Sequence, residues 1–511
     1  MLARVFSAAL YGVEAFEVDV EVDVAAGNPA IVIVGLPDAA VKESRDRVIT
    51  AINNSGYRWP RARATVNLAP AAVKKEGPSF DLPIALCMVI TGEDVKLPRL
   101  DQYAFVGELA LTGALRPVKG VLSIALWARR AKKKALFVPA ANAREAAIVE
   151  GIDIYGVNSL RETFEFLRGE RALEPVKQDL DAYFQAERNY DVDFADVKGQ
   201  LDVKRAIEVA VAGGHNILLI GPPGSGKSML AKRIPSVIPP MSLEEAIETT
   251  KVHSICGLLD PAHFFVALRP FRSPHHTTSD VGLLGGSSNP SPGEVSIAHN
   301  GVLFLDELPE FKRSTLEVLR QPIEDGKVTI SRAAGTMTFP SEFMLVGAMN
   351  PCPCGFFGDL KRSCRCGANA VQKYRQRISG PLLDRIDIHI EVCSVEYKDI
   401  ASRAPGESSA AIAGRVAEAR KIQQARFRGH GKTNCNARMT PKLQKAFCQL
   451  DDDGARLLKM AMMELDFTAR AYDRILRVAR TVADLDGCEN ITSVHVGEAV
   501  QFRSLDRNWW G

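Results

Sequence analysis

The sequence predicts an α/β chain in three parts: a small amino-terminal α/β domain, a parallel sheet built around a phosphate-binding loop, and a carboxy-terminal bundle of helices. Three observations predict it. Residues 221–228 read GPPGSGKS, directly after the apolar run 216–220 (NILLI) and directly before helix-forming residues. Short apolar runs alternate with helical stretches up to about residue 395, the pattern of a parallel sheet wrapped on both faces. Beyond residue 397 the strand signal fades and only helical periodicities remain.

Taken in order, residues 1–165 form the first domain, with strand-like runs at 16–24 and 30–34 and helical stretches at 38–55 and 122–134. Residues 166–190 turn charged, carry Pro175 and lack a sustained apolar face, which marks a linker. The second domain spans 191–396, with strands expected near 216–220, 302–306, 328–332, 343–348 and 387–392 and a cysteine-rich insertion at 351–367. Residues 397–511 form a helical lid, with helices expected at 410–428, 441–450, 454–465, 469–485 and 493–502.

Composition sets outer bounds on function. At 511 residues, length suggests about three domains. A hydrophobic fraction of 46% beside 24% charged residues is that of an ordinary globular protein. There is no run of eighteen apolar residues, so no membrane partner is expected. The opening segment MLARVFSAALYGVEA is too interrupted for a secretory signal, and a cytoplasmic location is the expectation. A net charge of +3 neither demands nor excludes a nucleic-acid partner, so any such binding must come from local patches.

The glycines of GPPGSGKS let successive backbone N–H groups turn inward onto an anion, while the following helix offers its positive end to the same point. Lys227 is then placed for the β and γ phosphates of ATP and Ser228 for Mg²⁺. Gly221, Pro222, Pro223, Gly224, Ser225, Gly226, Lys227, Ser228 and Met229 make up the loop's candidate nucleotide contacts. Residues 301–307 read GVLFLDE, a buried-strand pattern ending in two carboxylates. Beside a phosphate loop, Asp306 orders the Mg²⁺ shell and Glu307 polarises water for in-line attack. Hydrolysis is therefore expected.

These residues, together with DFADVKGQ (193–200), FRSPHHTTS (271–279), GAMNPCPCG (347–355), RISGPLLDRIDIH (377–389) and TARAYDRILRVARTVADL (468–485), resemble the magnesium-chelatase-like branch of the AAA+ ATPases known as the YifB/ComM family. The resemblance spans nearly the whole chain. It implies that Val197, Gly199 and Gln200 line the adenine pocket and that Asn350 orients the attacking water. It implies that Arg385 is offered across a subunit boundary and that Arg470 senses the γ-phosphate from the lid, with Arg474 and Arg477 as alternatives one and two turns on. A guanidinium stabilises the transferring phosphoryl group, and its delivery in trans implies a ring, expected to be a homo-hexamer.

Cys352, Cys354, Cys364 and Cys366 form C-P-C-G followed by C-R-C-G. Four thiolates so placed suit a structural tetrahedral Zn²⁺. The usual spacing has two residues inside each pair where this chain has one, so four reduced thiols stand as the other reading.

Residues 1–165 resemble the domain shared by Lon proteases and the RadA recombination ATPase. KEGPSFDLPIAL (75–86) resembles the Lon loop that carries its serine, which places Ser79 as nucleophile. The Lon lysine falls at Leu122 in VKGVLSIAL (118–126), so no amine base stands there. Lys119 leaves a shifted dyad open, and the domain is read as a non-proteolytic scaffold.

For a moving substrate, KVTISRAAGTMTFP (327–340) reads as a hairpin turning at Ala334-Gly335, placing Arg332 toward a phosphate backbone. Arg272, Lys312 and Arg313 are further cationic candidates for DNA, with Arg269 beside them. The 415–438 stretch, with Arg420, Lys421, Arg426, Arg428 and Lys432, reads equally as a DNA contact or a solvated helix face. The resemblance implies an ATP-dependent hexameric DNA helicase acting on single-stranded and branched DNA, promoting branch migration during natural transformation alongside recombination proteins. A chelatase-like protein-remodelling subunit is the alternative.

Overall fold

The computed structural model describes residues 2–25, 27–58, 62–75, 77–187, 190–286, 290–332, 335–359, 362–394, 406–431, 433–465, 467–503 and 505. The hairpin residue Ala334, the cation Lys432 and the expected boundary at 396–397 lie outside these. The chain forms two compact units. The first comprises Met1–Glu187, Leu243–Ala267 and Gly335–Phe339, and the second Arg188–Ser242, Leu268–Ala334 and Pro340–Gly511.

The first unit is built on a seven-stranded mixed sheet. Its strands run in the order Ala30–Val34, Arg63–Ala69, Glu14–Ala25, Leu2–Tyr11, Tyr103–Phe105, Ala135–Pro139 and Asp153–Val157. Leu2–Tyr11 and Glu14–Ala25 form an antiparallel hairpin in which Val5 faces Val20, and Gly12 turns the corner at φ 62°. The expected helix near 38–55 is Ala39–Asn54, started by Asp38, whose Oδ1 accepts the Val41 N–H at 2.8 Å. Asp81–Gly92 is a helix whose residues 81–90 are all buried. Such an evenly apolar run is ambiguous by periodicity, which is why the sequence marks it only as a motif.

The helix Leu243–Cys256 interrupts the nucleotide-binding sequence yet packs in this first unit. Its Lys251 Nζ lies 2.5 Å from Glu14 Oε1, and its Ser254 hydroxyl donates to Glu145. Glu145 is buried, and its carboxylate also accepts the Leu122 N–H at 2.9 Å, at the start of the helix Val121–Arg130. Burial pushes the Glu145 pKa upward, and these donors oppose the shift.

The second unit carries a five-stranded parallel sheet in the order Phe271–Arg272, Val302–Leu305, Met344–Met349, Ile217–Ile220 and Ile388–Glu391. Its inner strands are wholly buried, as near-continuous apolar strings covered on both faces must be. The two-residue strand Phe271–Arg272 is too short to register as a pattern in sequence. Lys327–Arg332 joins no strand of this sheet and forms a two-stranded sheet with Gly335–Pro340. The carboxy-terminal helices are Ser409–Phe427, Pro441–Phe447, Asp452–Glu464, Ala469–Leu485 and Ser493–Gln501. Four of them begin at a Ser, Thr or Asp that accepts a backbone N–H in their first turn, at Ser408, Thr440, Asp451 and Thr468.

Candidate nucleotide-binding site

The strand Ile217–Ile220 delivers the chain to the loop Gly221–Gly226 at the carboxyl edge of the sheet. Gly224 and Gly226 take φ of 79° and 94°, conformations that cost a side chain and let the loop curl. The helix Lys227–Arg233 follows at once. Lys227 is 8% exposed, and its ammonium sits 2.7 Å from Gly221 O, 2.9 Å from Pro222 O and 3.2 Å from Asn350 Oδ1. Burial lowers its pKa, while Asp306 opposes that shift. A poorly hydrated cation surrounded by neutral acceptors has much to gain from a phosphate.

Ser228 Oγ donates to Asp306 Oδ2 at 2.6 Å, so a hydroxyl and a carboxylate oxygen converge on one point. That is the hard-oxygen donor set Mg²⁺ takes beside phosphates. Glu307 adopts a left-handed backbone (φ 51°), with its N–H on Asp306 Oδ1 at 2.9 Å. The strands Val302–Leu305 and Met344–Met349 are neighbours, which brings Asn350 to the loop. Gln200, also left-handed at φ 53°, donates Nε2 to Ser225 O at 2.8 Å and to Cys393 O at 3.1 Å. Val197 is buried two residues before Gly199, and its carbonyl accepts Lys204 Nζ at 2.7 Å. Met229, just beyond the loop, is 38% exposed.

Sequence reading gave no role to His276. Phe271–Arg272 runs parallel to Val302–Leu305, so the chain leaving each strand emerges at the same edge. His276 Nδ1 there comes within 3.4 Å of Glu307 Oε2, and its ring meets Phe311 edge-on. Tyr374 was also missed. It is buried near Asn350, whose backbone N–H it accepts, and burial followed by Glu310 pushes its phenol up to about 12.

The arginines stand elsewhere. Asp387 and Ile388 both donate backbone N–H groups to Asn216 O at 3.1 Å, and Asn216 Nδ2 donates to Arg385 O at 2.9 Å. Asn216 precedes the loop strand, so Arg385 lies at the amino edge of the sheet and the phosphate loop at the carboxyl edge. At the usual strand rise the two edges are about 15 Å apart. Arg385 is 6% exposed, donates to Pro381 O at 2.5 Å and pairs with Glu324. Arg470 reaches Asp384 at 3.5 Å, placing it beside Arg385. Arg474 pairs with Asp387, and Arg477 donates to Gln444 Oε1 at 3.1 Å and Ala437 O at 3.0 Å. Of the three lid arginines only Arg470 is exposed. Arg385, Arg470 and Arg474 line a cavity of about 600 Å³ together with Glu324, Arg438 and Asp473.

Cys352, Cys354, Cys364 and Cys366 bring their sulfurs within 4.8 Å of one another. Three of the separations are 3.4, 3.7 and 3.6 Å. A tetrahedron with Zn–S bonds of about 2.3 Å has edges of about 3.8 Å, so the donor set fits that ion.

Among the cations considered for DNA, Arg272 forms a double contact with Glu294 at 2.7 and 2.9 Å, and Arg269 is held on Pro239 O and Asn300 O, each at 2.6 Å. Arg332, Lys312 and Arg313 are exposed, and Arg332 carries no ion pair among the described residues. Arg420 and Arg426 are turned inward, onto Val211 O and Asp484. In the first unit Leu122 is fully buried, and Lys119 lies over Gly257, where an added Cβ would come within 2.7 Å of its Cε.

Among the described residues, no helix is long and apolar enough to cross a membrane. Family models match along the chain: magnesium chelatase, subunit ChlI, at residues 193–400; subunit ChlI of Mg-chelatase at 20–142; and the ChlI carboxy-terminal region at 406–503. The YifB protein of Salmonella typhimurium is 42% identical over 508 residues, covering 99% of this chain and 98% of its own. The competence protein ComM of Haemophilus influenzae is 42% identical over 511 residues, covering 99% and 98%. Lon protease 2 of Syntrophobacter fumaroxidans is 30% identical over 130 residues, 24% of this chain and 16% of that protease.

Proposed function

The chain belongs to the YifB/ComM family of magnesium-chelatase-like AAA+ proteins, and from that premise we propose that it is a ring-forming ATPase that moves DNA. In this reading Lys227 binds the β and γ phosphates and Ser228 with Asp306 holds Mg²⁺, which neutralises charge on the phosphates when bound. Glu307 activates water, and Asn350 holds it in line. The adenine lies against Val197, Gly199 and Gln200.

The observation that carries a ring is the separation of Arg385 and Arg470 from Lys227. Both guanidiniums sit at the far edge of the sheet from the phosphate loop of their own chain. A γ-phosphate they meet belongs to a neighbouring copy, and a head-to-tail contact of that kind closes into a ring, here a hexamer. DNA as the substrate is supported by the exposed Arg332 on its strand, the exposed Lys312 and Arg313, and the relative named for competence. Branch migration of incoming single strands during natural transformation, alongside recombination proteins, is the setting that fits such a motor. A cytoplasmic location suits it.

Two experiments test this. ATP hydrolysis is measured with and without single-stranded and forked DNA, beside strand displacement. DNA is expected to raise turnover and Lys227→Ala to abolish displacement. Indifference to every DNA shape would favour the alternative reading, a chelatase-like subunit that remodels protein at the expense of ATP.

The trans arginine has its own test. Arg385→Ala and Glu307→Gln are each expected to be inactive while still binding nucleotide. Mixed in equal amounts, they are expected to recover turnover, because about a quarter of sites in a randomly mixed closed ring join an intact Glu307 to an intact Arg385. A mixture as inactive as its parts would rule out delivery from a neighbour.

A further inference from the structure

The cysteine cluster and the phosphate loop touch. Gly355, between the second and third cysteines, is buried at φ +86°, and a Cβ added there would fall 2.4 Å from Pro223 Cδ and 2.7 Å from its Cγ. The backbone of the cluster therefore rests on the ring of the loop's third residue. A second connection runs through the strand Met344–Met349. Cys352 follows Asn350 by two residues, and Asn350 Oδ1 lies 3.2 Å from Lys227 Nζ. The outer wall is braced by Arg375, whose Nε donates to Pro351 O at 3.3 Å and whose guanidinium stands 4.8 Å from the Phe357 ring centre. The cluster thus bears on the phosphate loop at Pro223 and, through Asn350, at Lys227.

We propose that the four-cysteine cluster, closed by a thiophilic divalent cation, is a positioning element of the nucleotide site, with Gly355 as its point of contact. This rests on the nucleotide-site reading above. Apart from Cys352 the cysteines are only partly buried, so the apolar core does little to hold their loop closed. Cation binding draws the four sulfurs together, and that closure sets the Gly355 turn against Pro223. No other residue serves at 355, since any side chain would collide with the loop it supports. If the cation and the nucleotide favour the same arrangement, each raises the affinity of the other by the same factor.

The test uses the full chain loaded with Co²⁺, whose visible absorption reports the geometry of its thiolate shell. Adding Mg²⁺ and adenylyl imidodiphosphate is expected to shift the cobalt bands. Stripping the metal is expected to weaken nucleotide affinity by about fivefold or more, and re-adding it to restore binding. Gly355→Ala is expected to keep a full complement of cation and lose nucleotide affinity. Lys227→Ala is expected to keep the cation and lose the nucleotide-induced shift. Should Gly355→Ala fail to fold, Cys366→Ala carries the same test, with affinity expected at the metal-stripped level. Equal nucleotide affinity with and without metal, beside unmoved cobalt bands, overturns the proposal alone. A metal-loaded chain that binds no nucleotide overturns the nucleotide site with it, and a chain that takes up no Co²⁺ or Zn²⁺ overturns the metal cluster.

Discussion

Glu307→Gln is expected to lower ATP turnover by about 10²–10⁴-fold, the usual contribution of a positioned general base, while nucleotide affinity stays unchanged. The substitution keeps shape and removes only the basic oxygen. Glu307 holds a left-handed backbone at φ 51°, a conformation that costs a non-glycine residue about 1–3 kcal/mol. Its N–H on Asp306 and its carbonyl, which accepts Glu310 N–H at 2.7 Å, keep it there. The same turn holds Asp306, the proposed Mg²⁺ ligand, so a change at 307 that disturbed the turn would also weaken nucleotide binding. Retained affinity with lost turnover separates chemistry from folding. His276→Ala is expected to give a smaller loss, because the imidazole 3.4 Å from Glu307 Oε2 steers the carboxylate without itself being the base. Rapid-quench measurement of the hydrolysis step checks both, and normal turnover in Glu307→Gln would assign water activation to another group.

The parts of this site that sequence exposes are those whose chemistry needs residues adjacent in the chain. GPPGSGKS places its loop glycines, Lys227 and Ser228 next to one another in the chain, and GVLFLDE is a strand with its acids at its end, so each is visible as a string. The partnership of His276 with Glu307 is different. It arises from a two-residue strand pairing with the acidic strand, and two residues carry no periodicity. Gly355 and Pro223 each look like ordinary turn residues until the sheet order places their loops together.

Other elements follow the same division. The helix Ala469–Leu485 has the boundaries its pattern predicts, because Thr468 caps a strongly amphipathic run. The helix Leu243–Cys256 packs in the first unit because Lys251 finds Glu14 and Ser254 finds Glu145, pairings without a local signal. The lid arginines repeat the lesson. Arg470, Arg474 and Arg477 are equivalent by spacing, and only the positions of Asp384, Asp387 and Gln444 distinguish the exposed one from the two engaged internally.

Asp387→Ala is expected to destabilise the second unit by about 3–5 kcal/mol, the cost of removing one partner from a buried charged pair. Asp387 is 5% exposed, with His215 Nδ1 at 3.0 Å and Arg474 on its other oxygen. His215 is fully buried and also bonds Thr481 Oγ1 at 2.8 Å, so one carboxylate ties together three elements: the end of the helix Leu201–Gly213, the strand Ile388–Glu391 and the helix Ala469–Leu485. Burial alone would raise the Asp387 pKa, but Arg474 and His215 outweigh it and hold the group below the usual carboxylate range. A depressed folded pKa contributes stability that is complete above the unfolded value of about 3.9 and is lost as pH falls through the folded one. Acidification below about pH 4 should therefore erode wild-type stability more steeply than that of Asp387→Asn, which has no charge to lose. Hydrogen exchange in Ala469–Leu485 reads this locally, which matters in a chain of two units where one melting midpoint is not a two-state quantity. Because Asp387 lies two residues beyond Arg385, its loss should also loosen Arg385, the arginine proposed to act in trans. Asp387→Ala should thus lose turnover together with protection of that helix, whereas Arg385→Ala loses turnover alone; full protection in Asp387→Ala would show that the His215 and Arg474 contacts do not hold the lid.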